Sequence, residues 1–500
     1  MPAAMKPRSA LALLAAAATA ALAPGCGGDS SGSAVAELAP PGVPVLIEGT
    51  LRPQGELREN AEAIAMQVAG VDNLGEFVVE KLEERAREDG EPFDFATEVE
   101  PWLGEHAGVF FERYDGEEFS GVGAIVEATD ADAAGEFVAK HEGGGENVAA
   151  TIGDFVAVAE DDKVLGEMVS ASEGDSLADE DTFAETIAAA GEGSLADVYV
   201  DLGDLVEKSG GIDPNVRQLL GSTGVDPSEA TLVASIVPGA DQVTIELSSD
   251  LGGREAPTGD ASKLLGEMPG NAFAALAASG FGGPLQEAID SLDAAGIPEK
   301  VPPNQLKKGL KQLGIDLEAV AGSVQDAAVF AVGGNERSLG GALVATTKGS
   351  GATEAVANIG KLLRQVNVDG VTALSGRYSG FSIRSADLGN KPLVITAKQG
   401  RLAVGYGLAP TLNGLLSEAG KGKTLSQNPA YDDAVAALGD TPVSGFADGS
   451  AALRLADALI PSSDENFEGA KKYLKSIRFL ALGSASQDDF ATAKLIVGLK

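Results

Sequence analysis

A chain that repeats itself in order must fold into something that half of it can already specify, and this chain repeats itself. Pro41-Gly42 stands before the apolar run Val43-Pro44-Val45-Leu46-Ile47, and Pro269-Gly270 stands before Ala272-Phe273-Ala274-Ala275-Leu276. Phe93-Asp94-Phe95 returns as Ile315-Asp316-Leu317, Val109-Phe110 as Val329-Phe330, and Gly123-Ala124-Ile125-Val126 as Gly341-Ala342-Leu343-Val344. Leu177, Phe183, Ile187 and Gly191 then fall on Leu425, Tyr431, Val435 and Gly439, and Leu232-Val233-Ala234 falls on Leu480-Ala481-Leu482 at the same spacing. The preserved order predicts two tandem homologous copies, 36–250 and 262–500, joined by a Gly/Pro/charged linker over 251–261. The offset grows between Val126/Val344 and Leu177/Leu425, which places an insertion in the second copy within 365–400. Two Gly-bounded alternating stretches, 370–376 and 380–385, read there as an added hairpin.

Within the first copy, Val43 to Gly49, His106 to Arg113 and Gly121 to Ala128 read as strands, and Glu56 to Arg87 as a helical stretch divided near Gly70 to Gly75. Thr129-Asp130 caps a helix reaching Lys140. Val148 to Ile152 and Phe155 to Ala159 form a hairpin over Gly153-Asp154, helices follow over Lys163 to Ala171 and Asp181 to Ala190, and Asp197 to Leu202 is a strand. Thr231 to Val237 and Gln242 to Leu247 close the copy as a second hairpin. Hairpins interrupted by amphipathic helices predict an α+β fold, each copy an antiparallel sheet with helices packed on one face.

The beginning of the chain carries an address. Cys26 is the one cysteine among 500 residues. Lys6 and Arg8 precede an apolar run from Ala10 to Ala23, too short and too alanine-rich to span ~30 Å of hydrocarbon. A basic start, a short apolar run and small residues before a cut describe a secretory signal. With Leu22-Ala23 and Gly25 ahead of Cys26, the segment resembles the lipobox of bacterial lipoproteins, although Pro24 is an unusual occupant. That resemblance implies a signal peptide over 1–25, lipid on Cys26, a flexible tether over 26–35, and a chain anchored to the extracytoplasmic face of the cell membrane.

Charge divides the chain unevenly. Residues 27–260 hold 52 acids and 11 bases, whereas residues 261–500 hold 23 of each. The acidic half repels phosphate backbones and anionic headgroups, so nucleic acid is excluded as a partner. It suits a solvated surface or a cationic partner. A single cysteine permits no internal disulfide, and a hydrophobic fraction of 44% suffices for packed cores.

The candidate chemistry is sparse. Only two histidines occur, His106 at a strand start and His141 at a helix end, with no partner at useful spacing. Gly28-Asp29-Ser30-Ser31-Gly32 has the G-x-S-x-G form but lies in the tether, without the strand and helix that expose such a serine. Gly422-Lys423-Thr424 resembles the end of a phosphate loop, but Ser417 replaces its first glycine. Glu173, Asp175, Asp179 and Asp181, with Glu180, crowd one loop and offer oxygens for weak calcium binding, without the spacing of an EF-hand. The run Glu160-Asp161-Asp162 has no alternating ligand frame. Trp102, Phe93, Phe95, Phe110, Phe111 and Phe119 concentrate aromatic surface that reads first as core.

The opening Pro44-Val45-Leu46-Ile47-Glu48-Gly49-Thr50-Leu51-Arg52-Pro53, the following Glu56-Leu57-Arg58-Glu59-Asn60, and the strand–Ala-Thr-Asp–helix step from Val126 to Phe137 resemble the bacterial "domain of unknown function 3352" family. The resemblance implies no activity and no functional residues. The expectation is a non-enzymatic, cofactor-free envelope protein that binds or scaffolds an envelope partner. The alternatives are a carrier of a hydrophobic or lipid ligand, which needs a dry apolar cavity, and a cell-wall polymer hydrolase, which needs convergent carboxylates.

Overall fold

The computed structural model describes residues 33–71, 73–89, 92–114, 118–141, 147–191, 193–208, 230–250, 259–295, 302, 304–312, 314–365, 368–374, 379–407, 423–461, 463–487 and 490–500. Cys26, tether residues 26–32, most of the linker, Ser417 and Gly422 lie outside these residues, whereas 33–35, expected to end the flexible tether, are described, with Val35 buried in the core. The chain divides into two compact units, Met1–Ala256 with Ser486–Lys494 and Leu499, and Pro257–Ala485 with Leu495–Gly498 and Lys500. The last strand thus contributes to both, where the sequence assigns it wholly to the second copy.

In the first unit the elements are β1 (Val45–Thr50), α1 (Gly55–Ala69), α2 (Leu74–Asp89), α3 (Phe95–Glu98), β2 (Leu103–Tyr114), β3 (Phe119–Ala128), α4 (Ala131–His141), β4 (Val148–Ile152), β5 (Phe155–Ala159), α5 (Asp162–Glu173), α6 (Asp181–Ile187), β6 (Ala196–Asp201), α7 (Leu202–Lys208), β7 (Thr231–Pro238) and β8 (Gln242–Asp250). The strands pair antiparallel in the order β4-β5-β3-β2-β1-β6-β7-β8. Side-chain oxygens start the helices by satisfying free amides: Asp94 accepts from Thr97 N at 3.0 Å, Asp130 from Ala133 N at 3.0 Å and Asp161 from Val164 N at 2.9 Å.

Helices cover both faces of this sheet, which corrects the one-face expectation. Val109, Ala124, Val126, Val156 and Val158 face α2, α3 and α4, packing with Leu82, Ala86, Trp102 and Phe137. Their strand neighbours Phe110, Ile125, Ala157 and Ala159 point the other way, into Val164 and Met168 of α5, Phe183 of α6 and the segment Val35–Ala39. Successive strand residues alternate between faces, so a strand buried twice must be apolar continuously. Gly123 permits this crowding: a Cβ there would stand 2.2 Å from Phe110 Cζ.

In the second unit the elements are α8 (Ser262–Gly266), β9 (Ala272–Ala278), α9 (Gly282–Ala295), α10 (Leu306–Gln312), α11 (Leu317–Ser323), β10 (Val324–Val332), β11 (Gly340–Thr347), α12 (Gly351–Gln365), β12 (Val371–Ala373), β13 (Ser379–Ile383), β14 (Leu393–Lys398), β15 (Arg401–Tyr406), α13 (Pro429–Leu438), β16 (Val443–Asp448), α14 (Gly449–Leu459), α15 (Glu465–Leu474), β17 (Ile477–Gln487) and β18 (Phe490–Leu499). Its antiparallel order is β12-β13-β14-β15-β11-β10-β9-β16-β17. From β14 to β17 this is the order of β4 to β7, and β12 and β13 add the extra hairpin. The ladders correct one alignment, because Ala342 rather than Gly341 stands opposite Phe330, as Gly123 stands opposite Phe110. Helices again lie on both faces, α8 and α13 against Phe330, Val344 and Phe446, and α12 against Ile383, Ile395 and Leu402.

Candidate functional site

The loop Pro40-Pro41-Gly42-Val43, strand β2 and helix α5 enclose a cleft of about 640 Å³ in the first unit, lined also by Glu112, Arg113, Glu167, Ser170, Ala171 and Asp175. The loop turns at Gly42, whose φ of 70° favours glycine. Among the bonds that hold it, Leu177 N donates to the Ala39 carbonyl at 2.9 Å, and Gly42 N donates to Glu180 Oε1 at 2.7 Å.

Glu112 interrupts the apolar side of β2 and points under α5. Its carboxyl is hydrogen-bonded to that of Glu167, and burial together with the neighbouring Glu167 charge pushes its pKa up to about 7. Glu167 is held below the usual carboxylate range by its hydrogen bonds to Glu112 and Lys163. Lys163, four residues earlier on the same helix face, reaches the two Glu167 oxygens at 2.8 and 2.9 Å and stands 3.7 Å from Glu112. The pair therefore shares one proton near neutrality: Glu112 keeps it and Glu167 stays an anion beside an ammonium.

A second carboxyl pair lies on the same sheet face, where Glu48 of β1 stands opposite Asp197 of β6. Burial first, then the Asp197 charge, raise Glu48 to about 7 against the opposing hydrogen bond from Ser33. Burial raises Asp197, while hydroxyls of Ser194 and Ser235, each at 2.5 Å, work against it. Val35 roofs this pair, lying where a Cβ on Gly108 would stand 2.4 Å from Val35 Cγ1.

The acidic residues of the loop take separate places. Asp175 lines the cleft, but Glu173 ends α5 exposed, and Asp181 opens α6. Asp179 accepts from the amide (3.0 Å) and hydroxyl (2.9 Å) of Ser176, bonds that hold its pKa down. Among the described residues no group of three or more His, Cys, Asp or Glu side chains is placed to hold a metal ion. The neighbouring run is also occupied structurally, with Glu160 accepting from Gly121 N at 2.7 Å and Asp161 capping α5.

The other candidates disperse. His106 lies in β2 opposite Thr50, and its amide donates to Glu127 at 2.9 Å. His141 ends α4. Thr424 starts a 3-10 turn in which Gln427 Oε1 accepts its amide at 3.3 Å, a cap rather than a phosphate cradle. The aromatic concentration splits across the sheet. Trp102 packs on Phe137 with centroids 5.7 Å apart and donates from Nε1 to the Glu98 carbonyl at 2.6 Å, whereas Phe110 lies in the opposite core. Phe111 and Tyr114 flank Phe119 nearer the surface, each at 4.8 Å.

Sequence reasoning missed Glu112, Glu167 and Lys163. A glutamate after Val109-Phe110-Phe111 is the one local signal, since it puts a charge on a face that Phe110 shows to be buried.

The model of the protein-of-unknown-function family DUF3352 matches residues 135–499, and the chain belongs to that family. The match begins within α4, so the residues that carry the resemblance at 44–60 lie ahead of it. No curated protein matches the sequence. A solved structure described as "Structure of crystal form I of TP0453" is similar at 11% identity over 46% of this chain and 82% of its own, with a TM-score of 0.24. No helix among the described residues is long and apolar enough to cross a membrane.

Proposed function

We propose that the chain is a lipid-anchored binding protein on the extracytoplasmic face of the cell membrane, non-enzymatic, with a small polar ligand seated in the Glu112–Glu167 cleft. The gathering of both carboxyls on one ammonium, Lys163 Nζ standing 2.8 Å from Glu167 and 3.7 Å from Glu112, supports binding over hydrolysis. Carboxyls that cleave a sugar polymer stand roughly 5–9.5 Å apart, with the scissile bond and a water between them. A pair drawn together on one lysine is arranged to hold charge rather than to flank a substrate, and Lys163 already neutralises the one anion that could act as base. The charged lining also speaks against a carrier of apolar molecules, which needs a dry wall.

Tandem duplication belongs to the same proposal. Shared strand order supports it, as do register shifts at matching places, Leu103/Ala107 and Val324/Ala327. Equivalent aromatic contacts, Phe183–Tyr199 at 4.9 Å and Tyr431–Phe446 at 5.3 Å, support it further.

Palmitate labelling in the producing cell tests the anchor: label and membrane pelleting are expected, and both are lost in Cys26→Ser. Native mass spectrometry of the full chain from its own envelope extract tests the binding. A polar mass that Glu167→Gln removes is expected. An apolar mass lost on organic extraction favours the carrier, and a wall-cleaving activity abolished by Glu112→Gln overturns the non-enzymatic reading.

A further inference from the structure

The first unit begins with a strap laid over two facing carboxyls. Residues 33–39 precede β1 and bury Val35, Ala36, Leu38 and Ala39 in the core shared with α5 and α6. Ser33 starts the strap: its hydroxyl accepts from Ala36 N at 3.0 Å and donates to Glu48. Val35 fills the space over Gly108, the β2 residue opposite Glu48. Leu38 N and Ala39 N donate within the strap at 3.1 and 3.2 Å. The strap then runs straight into Pro40–Val43, one wall of the cleft. Beneath it Glu48 faces Asp197, which takes the hydroxyls of Ser194 and Ser235. Among the described residues no lysine, arginine or histidine pairs with either carboxyl. The other ionisable groups nearby are engaged or turned away. Glu246, opposite Ser235 on β8, takes Lys494 at 2.6 Å, and Lys163 and Glu167 of α5 gather at Glu112. Glu37 of the strap and Asp181 and Glu185 of α6 are exposed. His106 on β2 and Tyr199 on β6 stand one place along the same face, opposite Thr50 and Leu46.

We infer that residues 33–39 are a proton-gated strap, docked while the Glu48–Asp197 pair holds a proton and released when both carboxyls ionise. Two adjacent anions under an apolar cover lack both water and a counter-ion, and one proton on the pair removes that cost. Burial raises Glu48 to about 7 and raises Asp197 as well. On release Glu48 meets water and moves back toward its ordinary 4.5. The docked strap therefore holds the proton more tightly than the released one. Docking is favoured in acid, weakens as pH rises between 4.5 and 7, and levels off above. From pH 6 to pH 8 these values weaken it by at most about tenfold. The strap can leave without breaking a ladder, because β1 starts only at Val45. Release detaches Pro40–Val43 on one side and so loosens the cleft wall. On the proposed reading that lipid sits on Cys26, release also lengthens the tether. The seven residues from Cys26 to Ser33 reach at most ~25 Å, and the nineteen to Val45 reach ~65 Å.

Hydrogen–deuterium exchange of the full chain in detergent at pH 6 and pH 8 tests this. Comparing wild type with Glu48→Gln at each pH cancels the intrinsic pH dependence of exchange, and glutamine keeps an acceptor for Ser33. From pH 6 to pH 8, exchange at Ala36, Leu38 and Ala39 is expected to rise in wild type relative to the variant by up to about tenfold. The amides of β2 and β3 are expected to keep their ratio. Asp197→Asn is expected to slow strap exchange at pH 8 in the same sense, which keeps the test open if Glu48→Gln does not fold. A strap ratio equal at the two pH values, or one that changes equally in β2 and β3, overturns the inference. So does a pH dependence that persists in Glu48→Gln and disappears in His106→Gln, because the imidazole would then be its source. The pattern is expected unchanged in Cys26→Ser, so failure of the anchor and failure of the strap are told apart.

Discussion

Replacing Glu112 by glutamine should stabilise the first unit in mildly alkaline solution and do little in acid. The wild-type carboxyl ionises near 4.5 in the unfolded chain and at about 7 in the folded one. Between those values the folded state holds a proton that the unfolded state has released, so stability falls as pH rises through the window and levels off above it. At about 1.4 kcal/mol per tenfold change in proton affinity, the displacement corresponds to roughly 3 kcal/mol at most, of which about 2 kcal/mol falls between pH 5 and 8. Glu167, held low by the same hydrogen bond, returns part of this, which leaves about 1–2 kcal/mol for the substitution. Glutamine keeps the shape and the donor toward Glu167 without the ionisation. The one tryptophan, Trp102, is 1% exposed within the first unit, so its fluorescence isolates that unit's urea transition from the second's. The expected result is a Glu112→Gln midpoint close to wild type at pH 5 and clearly above it at pH 8. Parallel pH dependences in the two proteins would refute the shared-proton account. Residual pH dependence in the variant is expected from Glu48, which burial shifts the same way.

Tyr199 is 1% exposed and its hydroxyl has no hydrogen-bond partner among the described residues, so Tyr199→Phe should be neutral or stabilising by up to about 1 kcal/mol in the same fluorescence assay. A loss above roughly 2 kcal/mol would mean that the hydroxyl is satisfied. Gly123→Ala drives a Cβ to 2.2 Å from Phe110 Cζ and should cost about 1–3 kcal/mol, read as a lower urea midpoint. Asp161→Ala removes the cap of α5 and should cost about 1 kcal/mol, with no change in calcium sensitivity measured by titration.

Much of the fold was legible because its strands and caps are local. The hairpin over Gly153-Asp154, the Asp130 cap and the added hairpin of the second unit all follow from turn chemistry and alternation within a few residues. The second helical layer was missed, because hairpin strands read as half-buried although their apolar runs are continuous. Gly123 to Val126 and Val156 to Ala159 are buried without a break, the mark of strands covered on both faces. The alignment of β3 with β11 slipped by one because Gly-Ala fits either register in sequence, and only the partner strand decides. The Glu112–Glu167 pair was not legible. The two residues are 55 apart, and they meet only because β3 and β5 carry the chain from β2 to α5 across two ladders. The acidic loop shows the converse: acids close in sequence take separate caps and turns.

The two units use one strand order toward different ends, and the difference lies in what covers the sheet. In the first, Glu112 turns a polar group into the face beneath α5, while the apolar sides of α2 and α4 seal the other face. In the second, Val332, two residues beyond Phe330 as Glu112 is beyond Phe110, is buried at 4% among apolar side chains, so that place on the sheet carries no carboxyl. The pH dependence that Glu112 brings therefore belongs to the first unit alone, and Leu276→Glu, at a 53% exposed site of the second, should leave the pH dependence of the Trp102 transition unchanged.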